Sequence, residues 1–174
     1  TSRRQRQMCI RDRFETIDND YAGTFDVVTS NIPFGDYRVY DPVFSDSKDE
    51  IRHKSCKAIH TYFFMKATDM VREGGIIAFI SSSRLMDSPG NRPVRQWLME
   101  RCRLVSAIRL PNDLFKEIAN TEAGSDLIIL QKHTLKETMT FRESAFTESR
   151  MLSNGCSINN YFMDFSRVIH TRLD

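Results

Sequence analysis

Asn31, Pro33 and Phe34 are the residues of this chain whose types and spacing could do chemistry. They follow a short apolar run, Phe25–Val28, and the pair Thr29-Ser30; Gly35-Asp36 comes directly after them. That order predicts a rigid turn at the carboxyl end of a buried strand, where open α/β sheets bind their ligands. An amide oxygen, a turn carbonyl and a ring can together hold a planar nucleobase. The oxygens accept from its amino group and the ring stacks on its face. No Ser/His/Asp or Cys/His signature for nucleophilic catalysis accompanies the turn. The plain alternative is a turn that only ends a strand. Gly35 offers close backbone approach and Asp36 could orient the loop, although Gly-Asp pairs also simply make turns.

The elements that must position these residues alternate strand and helix. Asp36–Lys54, rich in Asp and Ser, reads as a loop beside the site. A helix is predicted over Lys57–Arg72, with Ile59, Tyr62, Phe63, Ala67, Met70 and Val71 on one face and Gly74-Gly75 ending it. Ile76–Ser81 suits a strand buried on both faces. Ser82–Asn91 reads as a loop, and Pro93–Arg103 as a helix with Val94, Trp97, Leu98 and Cys102 inward. Leu104–Leu110 is the next strand, Pro111–Ser125 a connector, and Asp126–Gln131 another buried strand. The fold class expected is α/β, the second half of a doubly wound sheet. Ser81-Ser82-Ser83-Arg84 falls at a strand end where Arg84 could meet phosphate; a solvated loop arginine is the plainer reading. The Tyr62-Phe63-Phe64 and Trp97 aromatics read as core.

Asn31-Ile32-Pro33-Phe34 resembles the Asn-Pro-Pro-Tyr/Phe motif of S-adenosylmethionine-dependent amino-methyltransferases, above all the N6-adenine DNA methyltransferases, and the variant Asn-Ile-Pro-Phe-Gly-Asp looks like that of large DNA methylases of bacterial mobile elements. Ile32 replaces the commoner first proline. A second stretch, Ala107-Ile108-Arg109-Leu110-Pro111-Asn112-Asp113-Leu114-Phe115, resembles the equivalent segment of the same enzymes and lies about 75 residues downstream. The resemblance implies the C-terminal half of a Rossmann-like methyltransferase sheet, in which Leu104–Leu110 and Asp126–Gln131 pair antiparallel as the last two strands. It further implies methyl transfer from S-adenosylmethionine to the N6 amine of a flipped adenine in double-stranded DNA, as in restriction-modification. On the family's pattern the Asn31 side-chain oxygen and a carbonyl at Ile32 or Pro33 accept the two amine protons, and Phe34 stacks on the base. Asn31 and Pro33 would also border the cofactor. Cofactor contacts from near Glu15 and Asp18 have no residue-by-residue match. An amino-methyltransferase acting on RNA or a protein glutamine is the nearest alternative, and a decayed, non-catalytic DNA-binding methylase the next.

Residues 3–12 match, codon for codon, a translated transposon-end sequencing adapter, the alternative being a basic nucleic-acid-binding arm. On the adapter reading, residues 1–13 are an artefact, 14–133 belong to a partial catalytic domain and 134–174 begin a C-terminal extension. Only some seventeen residues then precede Asn31, with no Gly-rich loop, so most of the cofactor-binding part is expected to be missing. The net charge changes with that reading. The whole chain carries 25 Lys+Arg against 23 Asp+Glu; without residues 1–13, which hold five arginines and Asp12, 20 and 22 remain, a net −2. Overall charge therefore gives no support for nucleic-acid binding. Cys9, Cys56, Cys102 and Cys156 are scattered, as are the four histidines, so no metal site is expected. Apart from Cys9, the cysteines read as buried thiols in a reducing bacterial cytoplasm. No apolar run reaches transmembrane length. Asn154-Gly155 signals a turn, and Tyr161-Phe162 with Phe165 and Val168-Ile169 a small apolar cluster.

Overall fold

The alternating apolar runs become a four-stranded sheet in a computed structural model, which describes residues 14–35, 37–111 and 124–163. Its strands are β1 (Phe25–Asn31), β2 (Val71–Ser82), β3 (Cys102–Leu110) and β4 (Ser125–Lys132), in the order β1-β2-β4-β3. β1 and β2 are parallel, with Val28 opposite Ile77 and Asn31 opposite Ile80. β4 runs antiparallel to both neighbours, placing Leu127 opposite Ile80 on one side and Ile108 on the other. This is the α/β half-sheet with an antiparallel last strand that the resemblance implied. β4 lies between β2 and β3: β3 sits two strand spacings from β2, and the returning β4 fills the slot.

The helices are α1 (Pro42–Ser45), α2 (Glu50–Ser55), α3 (Ile59–Met70), α4 (Arg84–Asp87), α5 (Arg92–Arg101) and α6 (Phe141–Thr147). A short hairpin follows, β5 (Ser149–Met151) and β6 (Ser157–Asn159), around the expected Asn154-Gly155 turn with Gly155 at φ +81°. Ile77 and Phe79 of β2 and Ile128 and Leu130 of β4 are fully buried in one core with Phe64, Met65, Leu98 and Met99. Phe64 meets Phe79 edge-on at 5.0 Å between ring centres. Phe146 of α6 and Tyr161 belong to the same core. The buried Arg95 side chain donates to the carbonyls of Leu85, Ser88 and Thr147, tying α5 to both flanks. Burial pushes its guanidinium down to about 10. Phe165 and Val168-Ile169 lie outside the described residues.

Several expectations need correction. The apolar run predicts a buried strand, yet most of β1 is exposed, because it is paired on one side only among the described residues. β2 and β4 alternate buried with half-buried positions, so only one of their faces is fully covered among the described residues, although their apolar runs suit two-sided burial. α3 is buried nearly all round rather than along one stripe, because the sheet, α2 and α5 all pack on it. Gly74-Gly75 does not end that helix; it sits inside β2. A Cβ at Gly75 would lie 3.0 Å from the Asp26 carbonyl and 3.1 Å from that of Phe25, so its glycine permits close approach of β1. The segment read as a loop over Asp36–Lys54 contains α1 and α2, each started by an aspartate side chain that accepts from two backbone N–H groups, Asp41 and Asp49. Likewise α4 interrupts the stretch read as a loop over Ser82–Asn91. Cys156 is exposed, because it follows the hairpin turn; Cys56 and Cys102 are buried, as expected.

Candidate active site

The β1 ladder builds the site. Asn31 closes β1, and the Ile32 N–H continues the pairing by donating to the Ile80 carbonyl at 2.9 Å. The Ile32 side chain is 1% exposed and lies in the core, so it pins the turn from beneath and leaves its backbone as the only part that could serve chemistry. Strand alternation turns its neighbours outward: Asn31 and Pro33 are exposed. Phe34 is half-buried. Gly35 follows at φ +140°, a conformation that side-chain-bearing residues rarely adopt. Asp36 lies outside the described residues.

Asn31 and Pro33 border a cavity of about 360 Å³ walled by Phe14, Ile17, Val28, Phe63 and Phe79. Phe14 and Phe63 stack on each other at a tilt, 4.6 Å apart, so this part of the wall is aromatic. Two of the four expected site residues are thus brought to one cavity. Phe34 does not line it, and Ile32 lies under the turn. Phe63, read as core, packs against the core and lines this cavity as well. A larger cavity of about 870 Å³, among Arg103, His133, Lys136 and Phe141, lies at the other end of the sheet, where β3 begins and β4 ends. It is remote from Asn31.

The sheet end that carries Asn31 also holds a charged cluster. Arg109 donates from Nε to Asp126 at 2.9 Å and from Nη2 to Asp87 at 2.9 Å, and its guanidinium lies 4.3 Å from the Phe162 ring centre. Burial opposes its charge, but the two carboxylates hold Arg109 above its ordinary value. The Ser81 hydroxyl, next to Asp126 in register, is buried without a hydrogen-bond partner among the described residues. Arg84 is exposed. Asp18 accepts from the Asp20 N–H at 3.1 Å and starts a short 3-10 turn; Glu15 lies in another. Trp97 is core, its Nε1 donating to Asp49 at 3.3 Å. Residues 112–115 of the second resemblance stretch lie outside the described residues. No group of side chains that could hold a metal occurs among the described residues.

Sequence reading missed a buried post beneath the loop after the turn. Asp41, 1% exposed, accepts from the Tyr62 hydroxyl at 2.6 Å and Lys66 Nζ at 3.1 Å. Lys66 Nζ also donates to the Asn19 side chain at 3.2 Å. Burial alone would raise the Asp41 pKa, yet the hydrogen bonds from Tyr62, Lys66 and the Phe44 N–H hold it below the usual carboxylate range. Burial and the adjacent carboxylate push the Tyr62 phenol above its ordinary value. The available signal was Lys66 one helical turn after Tyr62, a charge inside an apolar helix.

The model of the family described as Eco57I restriction-modification methylase matches residues 2–115. Among solved structures, the chain resembles the EcoKI M protein of a type I restriction enzyme, with TM-score 0.53 and 19% identity over 71% of this chain and 24% of that one. It also resembles a type I modification subunit from Vibrio vulnificus YJ016, with TM-score 0.52 and 15% identity over 77% of this chain and 36% of that one. A class I S-adenosylmethionine-dependent methyltransferase from Listeria monocytogenes aligns more loosely, with TM-score 0.48 and 21% identity over 67% of this chain and 34% of that one. The chain spans about a quarter to a third of the length of these structures. No curated protein matches the sequence. The likenesses to the EcoKI M protein and the Vibrio vulnificus subunit show the fold of the methyltransferase sheet, and the family match covers well over half of the residues; the chain belongs to the Eco57I restriction-modification methylase family.

Proposed function

We propose that this chain carries the catalytic turn of an S-adenosylmethionine-dependent DNA methyltransferase that modifies the N6 amine of adenine flipped out of double-stranded DNA. The observation that carries the reading is the exposed Asn31 amide, set beside Pro33 on a turn pinned by Ile32, at the rim of an aromatic-walled cavity in a restriction-modification methylase chain. The type I modification subunits with the same fold belong to restriction enzymes, which supports DNA as the substrate.

The cavity lining suits one part of the cofactor. Phe14 and Phe63 give it an aromatic wall, the volume falls at the lower end of the roughly 300–1,000 Å³ typical of small-molecule sites, and none of the lining residues is charged. These residues fit the adenine part of S-adenosylmethionine; partners for its carboxylate and ammonium groups would come from elsewhere. Asn31 and Pro33 stand at that border. The cofactor, when bound, supplies an electrophilic sulfonium methyl.

What the chain's own residues do follows from the amine. Its lone pair is delocalised into the adenine ring, which makes it a poor nucleophile. Asn31 Oδ1 accepts one amine proton and the carbonyl of Ile32 or Pro33 accepts the other. Holding both protons favours a pyramidal nitrogen and frees the lone pair. Phe34 stacks on the extruded base, an interaction worth about 1–3 kcal/mol. On the adapter reading, residues 14–133 form part of this catalytic domain, 134–174 an extension and 1–13 an artefact, although the family match begins at residue 2; resequencing the source across Phe14 tests that division.

The test of function is product identity. The full-length protein is incubated with methyl-labelled S-adenosylmethionine and unmethylated DNA, which is then digested to nucleosides. Label in N6-methyldeoxyadenosine supports the reading. Label in a cytosine product, or in protein or RNA alone, contradicts it.

A further inference from the structure

We propose that Tyr37, Arg38 and Tyr40 form a strip that receives the DNA strand on one side of the target base. The proposal rests on the methyltransferase reading and extends it to how the flanking nucleotides are held. Tyr37 is 61% and Tyr40 77% exposed, and Arg38 between them is exposed as well. Their backbone is nevertheless fixed. Val39 packs against the core and its N–H donates to the Cys56 carbonyl at 2.9 Å. Asp41 is locked in the buried post with Tyr62 and Lys66. Two inward anchors therefore fix the backbone from which three side chains project outward.

The strip begins at the catalytic turn itself. A Cβ on Gly35 would come within 2.5–3.1 Å of three Tyr37 ring atoms, so the ring lies against the turn backbone. Tyr37 is three residues from Phe34, the ring expected to stack on the target base. A strand leading to or from that base must pass this surface. Aromatic rings interleaved with a guanidinium suit it: rings stack on any base, and arginine meets phosphate or stacks in turn. A protein partner could also use tyrosine and arginine, but the position directly beside the base-holding turn favours nucleic acid.

The test uses the full-length protein, a labelled duplex carrying a mismatch opposite the target adenine, and 2-aminopurine placed next to that adenine. The Tyr37→Ser, Tyr40→Ser pair should weaken binding about tenfold or more and abolish 2-aminopurine quenching, since stacking is lost at two positions. Tyr37→Phe with Tyr40→Phe keeps the rings and should keep both signals. Arg38→Gln should lower the slope of log affinity against log salt by about one. An equal loss in the Phe and Ser pairs, or unchanged binding and salt slope in every variant of an enzyme that still methylates DNA, overturns the strip alone and points to a protein partner. If the wild type neither binds nor methylates DNA, the strip and the methyltransferase reading both fall.

Discussion

Asn31 and Asp41 stand ten residues apart, and the fold treats them in opposite ways. The Asn31 amide is exposed at the end of an edge strand. The Asp41 carboxylate is buried and accepts from the Tyr62 hydroxyl, the Lys66 ammonium and the N–H groups of Val43 and Phe44. In the proposed function, Asn31 must meet a substrate amine, and that role needs open acceptor sites. The constraint that places it falls instead on its neighbours, Ile32 on the turn and Asp41 behind the loop. On that proposal, stability and chemistry fall to different residues within one short segment.

That separation can be broken from the side of the post. Lys66→Met leaves the Asp41 charge buried without its cation and should destabilise the protein by about 3–5 kcal/mol in urea unfolding. Ile32→Ala removes a fully buried side chain one residue from Asn31 and should cost about 2–5 kcal/mol by the same measurement. Gly35→Ala puts a Cβ into a positive-φ position against the Tyr37 ring; a loss of about 1–3 kcal/mol is expected. The smallest effect is on the acid limb of the stability curve. The folded-state pKa of Asp41 is depressed, so its contribution is complete above the ordinary aspartate pKa of about 4 and is lost as pH falls through the lower folded value. Asp41→Asn should be less stable at neutral pH and lack that decline below about pH 4. A decline of unchanged size would assign it to other carboxylates.

The sheet was legible because its signals are local. Ile76–Ser81, Leu104–Leu110 and Asp126–Gln131 each lie within an observed strand, and Val94, Trp97, Leu98 and Cys102 are all buried as the helical period required. Their antiparallel pairing came from family resemblance, since register depends on contacts distant in sequence. The exposure of β1 was not legible: Phe25–Val28 reads the same whether one edge or two are paired. α1, α2 and α6 were missed although their caps were in view. Asp41, Asp49 and the Thr140–Glu143 capping box are ordinary helix starts, outweighed in the reading by polar composition. At the site, Asn31 and Pro33 could be singled out by type and order. The Asp41–Tyr62–Lys66 post could not, because its members meet only after α3 packs back on the loop.

The central claim is that Asn31 serves chemistry and not the fold. Asn31→Ala in the full-length protein, assayed for methyl incorporation into adenine alongside urea unfolding, tests it most directly. The expected result is stability within about 0.5 kcal/mol of wild type and a rate below about a tenth of it, a barrier raised by roughly 1.4 kcal/mol or more. Retention of more than about a tenth of the rate with an intact fold would contradict the account.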